Sequence, residues 1–207
     1  MMRFLIYSVA LLVLSSSCAT FKFPNAVGMR ESTQQELNNF YLDTTQTYVY
    51  RFKMQAFKQA QNGNLLIEAV SPETHRIALV SDFGQTLFDM SIYPERYDVH
   101  YVMPDMNKKL LLNEVADIFR TLTTRRYAES ALLFMDKQHF PVYVVGDSYY
   151  TLQERHVAQI LQTKNGKERF KVAFLNVEQR IAKSIHVTHS KYPITLDFEL
   201  DRKQSNL

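Results

Sequence analysis

The feature that most constrains the fold of this chain is an alternation of apolar and polar residues with a period of two. Between positions 48 and 56 every even position holds an apolar side chain, while Arg51, Lys53 and Gln55 lie between them. Because successive side chains of a strand point to opposite faces, this period predicts a strand with one buried face. Similar runs predict further strands at 65–70, 75–80, 86–92, 97–103, 155–163, 168–175, 181–188 and 194–200.

Turn and helix signals connect these strands into a meander. Asn62-Gly63 and Asn165-Gly166 are typical of type I′ turns, which need positive φ at both central residues. Residues 108–122 carry apolar side chains three and four apart, which predicts a long helix with one apolar stripe. A short helix is predicted at 32–42, and residues 127–150 give no clear assignment. The pattern indicates a mainly β fold with helices (α+β), a long antiparallel meander with one helix inserted midway.

The N-terminus has the composition of an export signal. Arg3 precedes an almost wholly apolar run at 4–14, and three serines then lead to Cys18, the single cysteine. This run predicts a signal peptide at 1–17, because a membrane-spanning helix needs about 20 apolar residues. The serines before Cys18 resemble a bacterial lipobox, which predicts an acylated, palmitate-bearing cysteine; the alternative is a plain signal peptide cut near Ala19. A lipidated tether would then occupy 18–31 and a single domain 32–207.

The sequence argues against catalysis, metal binding and nucleic-acid binding. The net charge of the 207 residues is only +3, and no Lys/Arg cluster stands out. Motifs for phosphate binding, serine hydrolysis and zinc binding are absent from the sequence, so we expect no enzyme and no cofactor. His186 and His189 are three apart on a predicted strand and would point to opposite faces. Glu114 and Asp117 are interpreted as the solvated face of the helix rather than an acid–base pair.

Several segments occur in an informative order along the chain. They are the start that ends at Cys18, HRIALVSDFGQTLFDMSI at 75–92, NKKLLLNEVADIFRTL at 107–122, QILQTKNGKERFKVAFLNV at 159–177 and YPITLDFELDR at 192–202. Together they resemble the LolA/LolB family of lipoprotein-localisation factors, and LolB proteins more closely. The resemblance implies that the curved antiparallel sheet forms a half-open β-barrel, whose helical lid covers an apolar cavity for the acyl chains of lipoproteins. The chain has no tryptophan, which departs from the pattern of many LolB proteins.

Apolar side chains of the strands and of the helix are expected to line a concave face. An apolar pocket suits lipid, because each buried methylene group contributes about 0.8 kcal/mol. The alternative is that the same side chains fill a closed core. The expected lining consists of Tyr50, Phe52, Met54, Leu87, Tyr101, Leu111, Val115, Phe119, Phe170, Val172, Phe174 and Leu196.

Phe83 lies between two turn-forming residues, Asp82 and Gly84, in the link between two predicted strands. Its position resembles the loop in which LolB carries a protruding leucine, so we expect Phe83 to be exposed and to contact a membrane or a partner. The alternative is a buried loop anchor.

The sequence thus predicts a monomeric lipoprotein, anchored to the outer membrane through Cys18 and facing the periplasm. It would bind acyl chains of lipoproteins or another lipid, with a periplasmic carrier protein as a partner. The alternative is a structural or interaction lipoprotein of the envelope, with a filled core and no lipid cargo.

Overall fold

The strands predicted from the alternation form one large sheet. The computed structural model describes residues 21–23, 27–30, 36–38, 40–56, 59–128, 131–203 and 205. A 3-10 turn at Pro104–Met106 precedes helix α1 (Lys109–Thr123), the one α-helix among the described residues. The strands are β1 (Val27–Arg30), β2 (Glu36–Asn38), β3 (Thr47–Ala56), β4 (Gln59–Ser71), β5 (Thr74–Ser81), β6 (Thr86–Ile92), β7 (Tyr97–Val102), β8 (Arg126–Tyr127), β9 (Leu132–Met135), β10 (Pro141–Val145), β11 (Ser148–Gln153), β12 (His156–Lys164), β13 (Lys167–Glu178), β14 (Ile181–His189) and β15 (Ile194–Leu200).

Thirteen strands pair antiparallel in the order β1-β9-β10-β11-β12-β13-β14-β15-β3-β4-β5-β6-β7, and β2 pairs separately with β8. The sheet is curved and is not closed into a barrel, so β1 and β7 are its two edges. The mainly β class and the curved antiparallel sheet are therefore confirmed. Within the described residues, no helix combines the length and the apolarity needed to cross a membrane.

One face of the sheet carries most of the core. Phe174, Ile185, Phe198 and Phe52 form a continuous cross-strand row over β13, β14, β15 and β3. All four are buried. Because side chains that are directly opposite on paired strands point to the same face, this row marks the inner face of the curve.

Two elements cover the inner face. Helix α1 packs Phe119 against Phe88 of β6 and Phe198 of β15, with ring centroids 6.0 and 6.3 Å apart. The second element consists of residues 36–38 and 40–42 and is here called the strap. It covers another part of the inner face, where the rings of Phe40 and Phe174 stack with centroids 4.7 Å apart. The helical lid that the sequence predicts is thus present only in part, because the strap, which has no helix within its described residues, shares its place.

The turns and termini differ from expectation in several places. The Asn165-Gly166 turn is confirmed, with φ of 51° and 69°. The predicted turn at Asn62-Gly63 is wrong. These two residues lie inside β4, which pairs with β3 as far as Ala56 and Gln59. A Cβ at Gly63 would lie 2.0 Å from the Val80 carbonyl oxygen. Glycine is therefore required at this position because β4 and β5 approach closely there.

Two N-terminal segments also depart from the prediction. The helix expected at 32–42 is wrong within the described part, where residues 36–38 form β2. The tether expected at 18–31 is not free along its whole length, since β1 pairs with β9 at the edge of the large sheet.

Candidate functional site

The structure brings most of the predicted lining together on the inner face. Met54 and Val115 are partly buried and pack against the core, and Leu111 is half-buried where α1 begins. The fully buried members of the predicted lining are Tyr50, Phe52, Leu87, Phe119, Phe170, Val172, Phe174 and Leu196. Whether these residues contact a lipid stays a prediction.

Tyr101 was expected on the inner face, and that placement is wrong: the residue is 47% exposed. The cause is a bulge in the pairing of β6 with β7. Val99 is opposite Met90, but Tyr101 is opposite Asp89, so one extra residue lies on β7 between these pairs. A one-residue shift moves all later side chains to the other face. Tyr101 therefore points outward.

Inner-face side chains and their covering elements fill the described interior. The helix contributes Leu112, Ala116, Phe119 and Leu122 to the core, each at most 7% exposed. A cleft of about 430 Å³ beside the helix is polar rather than apolar, and Arg120, Arg126, Arg169, Asp117 and Asp147 are among its lining residues. An acyl chain could therefore reach the inner face only after the helix or the strap moves.

A charged network holds the helix to strands β13 and β14. The Arg169 guanidinium donates to Glu114 at 2.8 Å and to Asp117 at 2.7 Å, and its side chain is only 13% exposed. His189 accepts the backbone N–H groups of Lys191 and Tyr192 at Nδ1, which leaves Nε2–H to donate to Glu114 at 3.2 Å. The expectation that Glu114 and Asp117 form a solvated face is therefore wrong.

Two hydrogen bonds hold the helix to strand β7 and to the β6–β7 turn. Arg120 donates from Nε to the Tyr93 carbonyl oxygen at 2.9 Å, and the Tyr97 hydroxyl lies 2.7 Å from Asn113 Oδ1. With the Arg169 network on β13, these contacts make α1 a bridge between the β6–β7 side and the β13–β14 side of the curve.

The strap is locked through buried aromatic residues. Tyr41 has a positive φ of 59°, and its hydroxyl lies 3.0 Å from that of Tyr50, which in turn donates to the Ala182 carbonyl oxygen at 2.9 Å. His75 donates from Nε2 to the Tyr41 carbonyl oxygen at 2.8 Å. Burial raises the pKa of both tyrosines and lowers the pKa of His75, so all three are neutral at physiological pH.

Asn38 joins the strap to the helix. Its Nδ2 donates to the carbonyl oxygens of Thr121 and Leu122, each at 3.1 Å. These are among the last carbonyl groups of α1, which have no partner inside the helix. The two covering elements are thus held to one another as well as to the sheet.

Phe83 lies where the sequence predicts it, at the tip of the β5–β6 turn, with 97% of its surface exposed. The turn is held by hydrogen bonds and an ion pair in which the ring takes no part. Ser81 N–H donates to the Gln85 carbonyl oxygen at 2.8 Å, Gly84 adopts φ of 76°, and Asp82 pairs with Arg51 at 2.7 Å. The fold therefore presents the phenylalanine to solvent on a fixed support.

Cys18 lies outside the described residues, but the segment that follows it contacts the sheet. Phe21 packs on Tyr149 with centroids 5.2 Å apart, and Phe23 packs on Phe134 at 5.2 Å and on Tyr149 at 5.7 Å. Sequence reasoning missed this contact, although the alternation Phe-Lys-Phe was a signal for it. It also missed Arg169, for which 55 residues of separation from Glu114 left no local signal.

The two histidines that suggested a metal site lie on opposite faces of β14. His186 is exposed and pairs with Asp197 on the outer face, while His189 is buried beside Glu114. Within the described residues, no group of three or more His, Cys, Asp or Glu side chains is placed to hold a metal ion.

Comparison with solved structures gives distant likenesses. No protein-family model and no curated protein matches this chain. The chain is similar to a LolA superfamily protein from Nitrosomonas europaea, with a TM-score of 0.47, 8% identity and coverage of 90% of this chain and 88% of that chain. It is also similar to an outer membrane lipoprotein-sorting protein domain from Vibrio parahaemolyticus (TM-score 0.41, 8% identity, 75% and 83% coverage).

A third similar structure is a DUF1329 family protein from Desulfovibrio piger, with a TM-score of 0.45, 7% identity and coverage of 77% of this chain and 85% of that chain. None of the three is named as a LolB protein. The closer likeness to LolB stays a prediction, and the function proposed below rests on the contacts of this chain.

Proposed function

We propose that this chain is a lipoprotein of the bacterial outer membrane, anchored through Cys18 and facing the periplasm, that binds acyl chains of lipoproteins beneath its helix and strap. It acts as a binding and transfer protein and not as an enzyme. The observation that carries the proposal is the cover of the inner face. An aromatic and aliphatic sheet face is covered by one helix and by the strap, whose strand β2 pairs only with the two-residue strand β8.

In this proposal the cover separates from the sheet. The helix is attached at its margins, by Arg169 on one side and by Arg120 on the other. The strap is attached by the buried hydrogen bonds of Tyr41 with Tyr50 and His75. Displacing the helix would expose inner-face side chains, and an acyl chain would take the place of the helix. Each methylene group that it buries contributes about 0.8 kcal/mol.

The filled interior favours a second function. The inner-face residues are already buried by the protein itself, as in an ordinary core. An envelope lipoprotein that presents its surface to a partner, without lipid cargo, would have such a core. The two functions differ in one measurable property, which is saturable binding of an acyl chain.

The test uses a chain that begins at residue 18 and carries Cys18→Ser, which retains every residue that the structure describes. We expect saturable binding of a fluorescent 16-carbon fatty acid, and retained lipid in native mass spectrometry of the lipidated protein from membranes. Arg169→Gln should accelerate fatty-acid uptake, because it removes the charged attachment of the helix.

Arg76→Gln is the matched control. Arg76 also pairs with a carboxylate through two nitrogens, at 3.0 and 2.7 Å from Asp89, but it lies on the outer face away from the cover. Its loss should leave uptake unchanged. Absence of saturable binding in both variants, in folded protein, would refute acyl-chain binding and support the interaction lipoprotein.

A further inference from the structure

The acyl-binding proposal leaves the polar cleft beside helix α1 without a ligand. This cleft has a volume of about 430 Å³ and lies between the C-terminal half of the helix and strands β10 to β13. Three arginines from three different elements line it: Arg120 of α1, Arg126 of β8 and Arg169 of β13. We call it the arginine cleft.

Two of these arginines are held by carboxylates but keep unused donors. An arginine side chain has five N–H donors. Arg169 uses three of them, since Nε and one terminal nitrogen donate to Glu114 and the other terminal nitrogen donates to Asp117. Arg120 also uses three, two on backbone carbonyl oxygens and one on Asp117. Within the described residues, each guanidinium group therefore has two N–H groups without an acceptor.

Arg126 supplies a positive charge that no carboxylate neutralises. It forms no ion pair with any described residue, and it lies beside the buried Tyr150. Burial raises the pKa of the Tyr150 hydroxyl, and the charge of Arg126 opposes this rise, which shows that the two groups are close together. Asp147 also lines the cleft, but it is exposed, and its charge reaches Tyr149 on the outer face. The arginine cleft thus has a surplus of positive charge at Arg126.

This arrangement suits a phosphate group. Guanidinium groups bind phosphate oxygens with paired N–H donors, and such charge-assisted hydrogen bonds are stronger than neutral ones. A phosphate monoester has three acceptor oxygens and up to two negative charges. Three guanidinium groups around one cleft can therefore each meet an oxygen, whereas a carboxylate would offer only two.

The floor of the arginine cleft continues into the inner face of the sheet. Tyr150 lines the cleft and is opposite Ile160 on β12, which in turn is opposite Val172 on β13. Ile160 and Val172 are fully buried. An alkyl chain that is attached to a phosphate in the cleft would therefore enter the covered inner face between β11 and α1.

We infer that the arginine cleft is a phosphate-binding site, in which Arg120, Arg126 and Arg169 bind the phosphate group of a lipid headgroup or of a soluble phosphate compound. Phosphate binding itself does not depend on the proposed function. Only its use for a lipid headgroup rests on acyl-chain binding, so the two can fail separately.

Inorganic phosphate and dodecyl phosphate are the two probes, titrated calorimetrically into the chain that begins at residue 18 with Cys18→Ser. We expect saturable binding of inorganic phosphate in a buffer without other phosphate or sulfate. Dodecyl phosphate should bind at least about tenfold more tightly, because its alkyl chain would reach the inner face. Equal affinity for the two probes would keep the phosphate site but overturn its headgroup role. Phosphate binding without any binding of fatty acid would refute only the proposed function.

Substitution of Arg126 tests the assignment of the cleft. Arg126→Gln should weaken the binding of both probes by about tenfold or more, because it removes a charged donor. Arg126→Lys keeps the charge and should retain part of the binding. Urea unfolding verifies that each variant is folded.

Arg180→Gln is the matched control. Arg180 is an exposed arginine without an ion pair among the described residues, and it lines a different cleft that also has a volume of about 430 Å³. Its loss should leave phosphate binding unchanged. Equal losses in Arg126→Gln and Arg180→Gln would overturn the inference, as would the absence of saturable phosphate binding in the folded parent chain.

Discussion

Replacing Phe83 with glutamate tests the membrane contact that the sequence predicts for the β5–β6 turn. The ring is 97% exposed and takes no part in the bonds that hold the turn. Those bonds belong to Ser81, Asp82 and Gly84. We therefore expect the folded state to tolerate Phe83→Glu almost without change.

The two expected magnitudes differ widely. For an exposed side chain without a special role, substitution changes the free energy of unfolding by no more than about 0.5 kcal/mol. Burial of a phenylalanine side chain in an apolar phase contributes about 1.5 to 3 kcal/mol, which corresponds to about a tenfold to hundredfold change in a binding constant. Glutamate loses this gain and also resists transfer out of water.

Urea unfolding measures the stability of each variant, and sedimentation with vesicles of phosphatidylglycerol and phosphatidylcholine measures its membrane binding. Phe83→Glu should unfold like the parent chain and bind vesicles at least about tenfold more weakly, and Phe83→Leu should retain most of the binding. Val70→Glu controls for added charge at another exposed apolar position, because Val70 is 61% exposed beside the β4–β5 turn. A loss of about 3 kcal/mol or more in stability, typical of a core aromatic residue, would refute the reasoning, and so would unchanged vesicle binding.

Two further changes test the interior of the sheet. Gly63→Ala should lower the free energy of unfolding by about 1 to 3 kcal/mol or more, because its Cβ would meet the Val80 carbonyl oxygen. Gly146→Ala meets no atom within 4 Å, but its φ of 57° is strained for alanine, so it should cost about 1 kcal/mol in the same urea experiment. The lowered pKa of His75 means that the unfolded chain binds its proton more readily. Stability should therefore fall as the pH drops below about 6.5, and less steeply in His75→Gln; equal slopes would contradict this.

Local signals in the sequence were sufficient for much of the sheet. The strand predicted at 194–200 is β15 and the strand predicted at 86–92 is β6, because their alternation reflects a simple inner and outer face. The Asn165-Gly166 turn is determined by its own φ requirement. The long helix also begins and ends within one residue of its predicted bounds.

Features that depend on distant parts of the chain were missed. Gly63 follows an asparagine as a turn glycine would, but it is needed for the approach of β5, which no local pattern encodes. Tyr101 continues the alternation of β7, but a bulge reverses its face. Glu114 and Asp117 resemble a solvated helix face until Arg169 is placed beside them by the sheet. Each error arose where tertiary contacts changed the meaning of a correct local pattern.

A filled inner face is compatible with lipid transfer if the free energy lost when the cover leaves the sheet is similar to the free energy gained when the acyl chain binds there. Moving the cover would expose its large apolar side chains, all at most 7% exposed in the closed state: Leu112, Ile118, Phe119 and Leu122 of the helix and Leu37, Phe40 and Tyr41 of the strap. At about 1.5 to 3 kcal/mol for each side chain, this costs about 10 to 21 kcal/mol. A 16-carbon chain that buries most of its methylene groups would return about 12 kcal/mol. The two quantities are similar because both scale with apolar area, and a protein that must accept and then release a lipid needs such a balance. A deep, permanently open cavity would bind the chain more tightly but would also retain it.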